Sequence, residues 1–126
     1  MTDALVEYFK KRKVLDLGFV EFMTSKHAQT KPYKLFSVNN QDYMVSHFFD
    51  SSNNVGFSLI KTNEILNTNK TDMMAFAAVE GDDIICLNTD DNSVWLWCLQ
   101  TNNGKFVKIT TSFEKFKSIA IRGTKE

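Results

Sequence analysis

The sequence predicts a single-domain α+β fold, and three observations carry that expectation. Hydrophobic residues make up 43% of the 126-residue chain and eleven residues are Phe, ample material for a core and unlike the composition of disordered chains. From residue 34 to residue 110, short apolar runs alternate with turns rich in Asn, Asp and Gly, the pattern of an antiparallel meander. Runs with helical spacing stand near the start, in the middle and at the end of the chain. A chain of this length buries roughly two-thirds of the surface it exposes when unfolded, so it can hold a core without staples.

The first helix is expected over 3–13, with Leu5, Tyr8 and Phe9 on one side and charges on the other. Lys10-Lys11-Arg12-Lys13 closes it. Cations are favoured at a helix C-terminus, a commoner reason for such a run than a phosphate site or a targeting signal. Residues 14–31 read either as the second arm of a helical hairpin or as a short strand, with Leu15, Leu17, Val20 and Phe22 as apolar positions and Gly18 interrupting both readings. Pro32 then pushes Lys31 toward extended backbone. Strands at 34–38 and 43–49 flank the polar turn Asn39-Asn40-Gln41, a hairpin, and 50–54 is a loop by composition. A helix over 58–67 carries Leu59, Ile60, Ile65 and Leu66.

Three further strands are expected at 73–79, 83–87 and 94–100, separated by Glu80-Gly81-Asp82 and by Asn88 to Asn92. Asn103-Gly104 is a hairpin signal leading into a strand at 106–110. Thr111-Ser112-Phe113-Glu114 has capping-box spacing, with Thr111 as the cap, and starts a last helix that buries Phe113, Phe116 and Ala120. No repeat, linker or low-complexity tract divides residues 1–126.

Fifteen basic residues balance fifteen acidic ones, so the chain lacks the positive field that drives non-specific binding to nucleic acid. Asp3 and Glu7 interrupt what a secretory signal would need, and no run approaches the roughly twenty apolar residues of a membrane span. Cys86 and Cys98 lie in apolar, strand-like runs without CxxC spacing, as buried reduced thiols do. A cytoplasmic protein with no membrane partner is the expectation. His27 and His47 have neither an HExxH pair nor a CxxC set to complete a metal site, and no phosphate-cradling or nucleophile-elbow motif occurs. No metal, cofactor or catalytic residue is therefore expected; a small hydrolase using His47 with Asp50 is the last of the readings considered.

Two features can serve binding. Glu80, Asp82, Asp83, Asp90 and Asp91 put five carboxylates into twelve residues with no Lys or Arg among them. They offer an acidic rim for a basic protein or an oxygen site for a divalent cation, against the plainer fact that Asp favours turns. Val94-Trp95-Leu96-Trp97-Cys98-Leu99 is apolar on both faces at a period of two, with Trp95 and Trp97 on one and Val94, Leu96 and Cys98 on the other. Such a strand must be covered twice, and core burial of both tryptophans is the favoured reading over a partner surface.

The C-terminal two-thirds resembles the SUKH superfamily of cell-wall-synthesis regulators and bacterial toxin-immunity proteins. The similarity runs in order through Phe36-x-Val38, Tyr43-x-Val45-x-x-Phe48-Phe49, Met74-x-Phe76-Ala77, Gly81-Asp82, Val94-Trp95-Leu96-Trp97 and Ser112-Phe113-Glu114-Lys115-Phe116. The family's Pro-x-x-Tyr-x-x-Phe helix and Asn-Gly-Gly turn have no counterpart in the N-terminal third. The resemblance implies helices packed on a curved, largely antiparallel sheet of about six strands, with no catalytic residues to carry over. It implies a non-enzymatic immunity protein that binds a cognate toxin domain, or a regulatory scaffold without a toxin partner. A basic nuclease-type toxin would suit the acidic positions, with Trp95 and Trp97 as further candidates for contact.

Overall fold

The computed structural model describes residues 4–24, 35–38, 40–51, 54, 57–81, 83–99 and 104–120. Helix α1, Ala4–Lys11, buries Leu5, Tyr8 and Phe9, the i, i+3, i+4 stripe of an amphipathic helix. It ends in a Schellman turn: Lys13 N–H donates to Lys10 O and Val14 N–H to Phe9 O, at 3.0 and 2.9 Å, with Lys13 at φ 61°. Two residues later Asp16 caps α2, Leu17–Thr24, accepting from Phe19 N–H at 3.1 Å. Of the two readings of 14–31 the helical one holds where the chain is described. It is Phe19 and Met23 that turn inward, while Leu15 and Leu17 are each 79% exposed.

Six strands follow in meander order: β1 Leu35–Val38, β2 Gln41–Phe48, β3 Met73–Val79, β4 Ile84–Asn88, β5 Val94–Cys98 and β6 Lys105–Thr110. Every neighbouring pair is antiparallel. The sheet curls until β1 approaches β6, and α4, Phe113–Ala120, lies against both. Directly paired residues share a face, so the register defines two rows. Phe48, Ala77, Ile85, Leu96 and Val107 form one, and the first four are fully buried beneath the helices. His47, Ala78, Ile84, Trp97 and Phe106 form the other, on the face turned away.

A bulge between Ala75 and Ala77 sets Phe76 at the hub of the core. Its ring meets Phe19 of α2 and Phe113 and Phe116 of α4 edge-on at 5.2, 5.7 and 5.9 Å between centroids. Each such pair adds about 0.5–1.5 kcal/mol to area burial. Phe48 meets Phe22 of α2 at 5.1 Å, which ties the same helix to β2.

Where β2 ends, α3, Leu59–Ile65, takes its place beside β3 through one buried side chain. Asn63 donates to Ala75 O at 2.9 Å and to Leu59 O at 2.8 Å, and accepts from Ala75 N–H at 2.8 Å and from the Thr68 hydroxyl. The amide thus completes a ladder that would otherwise leave a buried N–H and C=O unpaired. Ser58 caps α3, and Ile65, one of the apolar residues of the expected helix, is 66% exposed. Arg12 binds the next segment: its guanidinium donates to the carbonyls of Thr68, Thr71 and Met73 at 3.0–3.2 Å and to Tyr8 Oη at 2.9 Å.

Two expectations are corrected here. The cap of α4 is Ser112, which accepts from Lys115 N–H at 3.2 Å, while Glu114 pairs with Lys117 instead of reaching back. The β5–β6 connection is six residues, 99–104, since β5 stops at Cys98. Asn103 lies outside the described residues, as do 25–34, Asp3 and Gln100.

Candidate functional site

The four acidic candidates among the described residues do not assemble into one rim. Glu80 is exposed in the β3–β4 turn, and Asp90 and Asp91 are exposed in the β4–β5 turn. The five residues of β4 stand between the two groups, about 17 Å at 3.4 Å per residue. Asp82 lies outside the described residues. Asp83 is 1% exposed and cannot serve as a docking contact, because strand alternation turns it to the side of Ile85. Tyr43 lies nearby: burial raises its phenol above the ordinary value, and Cys98 and Asp83 push the same way.

Asp91 is built into its turn. Its Oδ1 accepts from Ser93 N–H at 3.0 Å and from Ser93 Oγ at 2.5 Å, which holds the carboxyl below the ordinary range. Ser93 Oγ in turn accepts the Trp95 indole N–H at 2.7 Å. Asn88 Oδ1 takes the N–H groups of Asp90 and Asp91 at 2.8 and 3.3 Å, and Asn92 turns the chain at φ 66°. The Asp90 carboxylate takes no hydrogen bond or ion pair among the described residues.

Trp95 and Trp97 share a face as expected, but that face is the outer one, and both rings are half-buried where core burial was the favoured reading. The inward set is Val94, Leu96 and Cys98, all buried. Trp97 stacks on Phe106 at 5.0 Å and 18°, and its indole donates to Gly104 O at 3.0 Å. Lys108 Nζ lies 5.8 Å from the Trp95 ring centroid. Phe106, 38% exposed, and Lys108 were not singled out from sequence; the β5–β6 register brings them opposite Trp97 and Trp95. The aromatic strip therefore runs along β5 and β6 with an acidic turn at each end, Glu80 beyond Trp97 and Asp90 and Asp91 beyond Trp95.

His47 continues the outer row. Its ring lies 5.4 Å from Phe49 and 4.8 Å from the exposed Phe57, and Nδ1 is 3.2 Å from Ser46 Oγ. Asp50 sits at the bridge to Ser58. Cys86 and Cys98 are buried and form no disulfide, with Cys86 opposite Trp95, and burial pushes the Cys86 thiol far up. Among the described residues no helix is long and apolar enough to cross a membrane. Comparison of the chain with family models, curated proteins and solved structures finds no match.

Proposed function

We propose that this protein is a non-catalytic protein-binding domain whose partner is the toxin of a toxin–immunity pair. The observation that carries the binding reading is the outer strip of Trp95, Trp97 and Phe106. Its rings are partly open to solvent, yet fixed by two indole hydrogen bonds and one stacked pair. Aromatic anchors held in place before binding lose little entropy when a partner covers them, and Trp leads the residues that dominate interface energies. The carboxylates in the two flanking turns suit a basic partner, as a nuclease-type toxin would be. The immunity class itself comes from the SUKH-like order of motifs.

The test is titration calorimetry against any toxin-like domain encoded beside the gene, with Trp97→Ala and Phe106→Ala as variants. A hot spot of about 2 kcal/mol or more corresponds to a loss of about thirtyfold in affinity. Circular dichroism must show the variants folded. Tight binding that neither substitution weakens removes this face from the interface, and a chain that neither binds nor neutralises the neighbouring toxin leaves the scaffold reading in its place.

A further inference from the structure

The corner between α1 and α2 is rigid and yet presents the most exposed large apolar side chains among the described residues, Leu15 and Leu17. The Schellman turn fixes the chain before Leu15, and the Asp16 cap fixes it after. Beside the corner lies a depression of about 380 Å³. Lys11, Lys13 and Leu15 line one side; Asp72 and Asp90 belong to the other. Arg12 reaches it too, but its guanidinium is taken up by backbone carbonyls. Among the described residues Lys11, Lys13, Asp72 and Asp90 make no ion pair, so two cations and two carboxylates remain, in balance.

We propose that this corner and depression form a two-fold contact between two copies of the chain. A two-fold interface joins a patch to itself, so each feature must find its complement within the same patch. Here the lysines of one copy meet the carboxylates of the other, twice over, while Leu15 and Leu17 seat against the facing depression. The equal totals of acidic and basic residues remove the net repulsion that would oppose the approach. Ordering costs are reduced because the backbone that carries both leucines is already held by the turn and the Asp16 cap. A purely acidic partner or an anionic membrane would meet Asp72 and Asp90 as like charges; a second copy supplies the lysines they lack.

Sedimentation equilibrium on the full chain tests this between about 5 and 500 µM, where small interfaces of under about 1,200 Å² dissociate. The weight-average mass should climb from 14.5 kDa toward twice that value. Leu15→Asp should stay monomeric with an unchanged melting temperature, because the side chain it replaces is exposed. A chain carrying Lys11→Glu and Lys13→Glu, and another carrying Asp72→Lys and Asp90→Lys, should each be monomeric alone. Mixed at low salt, they should dimerise, since one lysine–carboxylate contact is restored with its signs exchanged and the other is the wild-type contact. A wild-type chain that is monomeric throughout overturns the proposal, as does a mixture that stays monomeric or a Leu15→Asp variant that still dimerises.

Discussion

Replacing Asn63 by Leu keeps the side chain's approximate size and removes every polar atom it offers. Two buried groups, Ala75 N–H and Ala75 C=O, then lose this partner, and the Thr68 hydroxyl keeps only the backbone carbonyl of residue 63, at 3.5 Å. The Leu59 carbonyl retains the backbone bond of its own helix. An orphaned buried group costs about 1–3 kcal/mol, and since neighbours do not add fully, about 2.5–5 kcal/mol is expected. That is a large part of the 5–15 kcal/mol typical of a domain. With about 2.1 cal/mol/K of unfolding entropy per residue, each kcal/mol moves the melting point of a chain this size by about 4 °C, so Asn63→Leu should melt about 10–20 °C lower. Urea titration of Asn63→Leu beside Ile65→Ala, an exposed position on the same helix expected to change by less than about 0.5 kcal/mol, separates this loss from helix propensity. A loss below about 1 kcal/mol at an unchanged slope would refute the claim that this amide completes the β3 ladder.

Lys13→Gly should raise stability by about 0.5–1 kcal/mol, because the left-handed backbone costs a side-chain-bearing residue more than glycine's extra freedom costs the folded chain; thermal melts decide the sign. Phe113→Ala should cost about 3–5 kcal/mol, and a chain ending before Thr111, which also loses Phe116, should show no cooperative melt. Asp91 has a lowered carboxyl in the folded state, so its contribution is present above the unfolded value near pH 4 and fades as pH falls through the folded one. The melting point should therefore fall more steeply on acidification in the wild type than in Asp91→Asn. Cys86 should resist thiol reagents in the native protein, and intact mass without reductant should show no Cys86–Cys98 bond.

The strands were legible because their signals are local. Met73–Val79 is bounded by a Gly-bearing turn, and the Asn88-Thr89-Asp90-Asp91-Asn92 run sets Asn88 against Ser93, which puts Cys86 opposite Trp95. What escaped depends on tertiary placement. Asn63 reads as a polar position on an amphipathic helix until β2 is seen to stop at Phe48 and expose the edge of β3. Asp83, the first residue of the expected strand at 83–87, reads as part of an acidic rim, although the pleat carries it inward. A two-residue turn at 103–104 would have set Trp97 opposite Thr110; the longer connection sets it opposite Phe106 and so creates the stacked pair. Thr111 and Ser112 are adjacent capping residues, and composition does not choose between them.

The β4–β5 turn shows why adjacent carboxylates must be perturbed separately. Asp90 lines the depression beside the α1–α2 corner and has no partner of its own among the described residues. Asp91 is the first link of the chain through Ser93 to the Trp95 indole. Reversing both charges would change the field at the turn and also release the hydrogen bonds that orient the tryptophan, so a slower association could not be assigned to either cause. Asp90→Lys alone leaves the Asp91–Ser93–Trp95 chain intact and alters only charge. If electrostatic attraction at this turn brings in a basic partner, Asp90→Lys should slow association and flatten its salt dependence, with dissociation and melting temperature nearly unchanged. Asp91→Ala should instead speed dissociation, because the strip it positions is no longer fixed before contact. Equal effects of the two substitutions on both rates would mean that the turn acts as one acidic patch and that the hydrogen-bonded link to Trp95 does not contribute to binding.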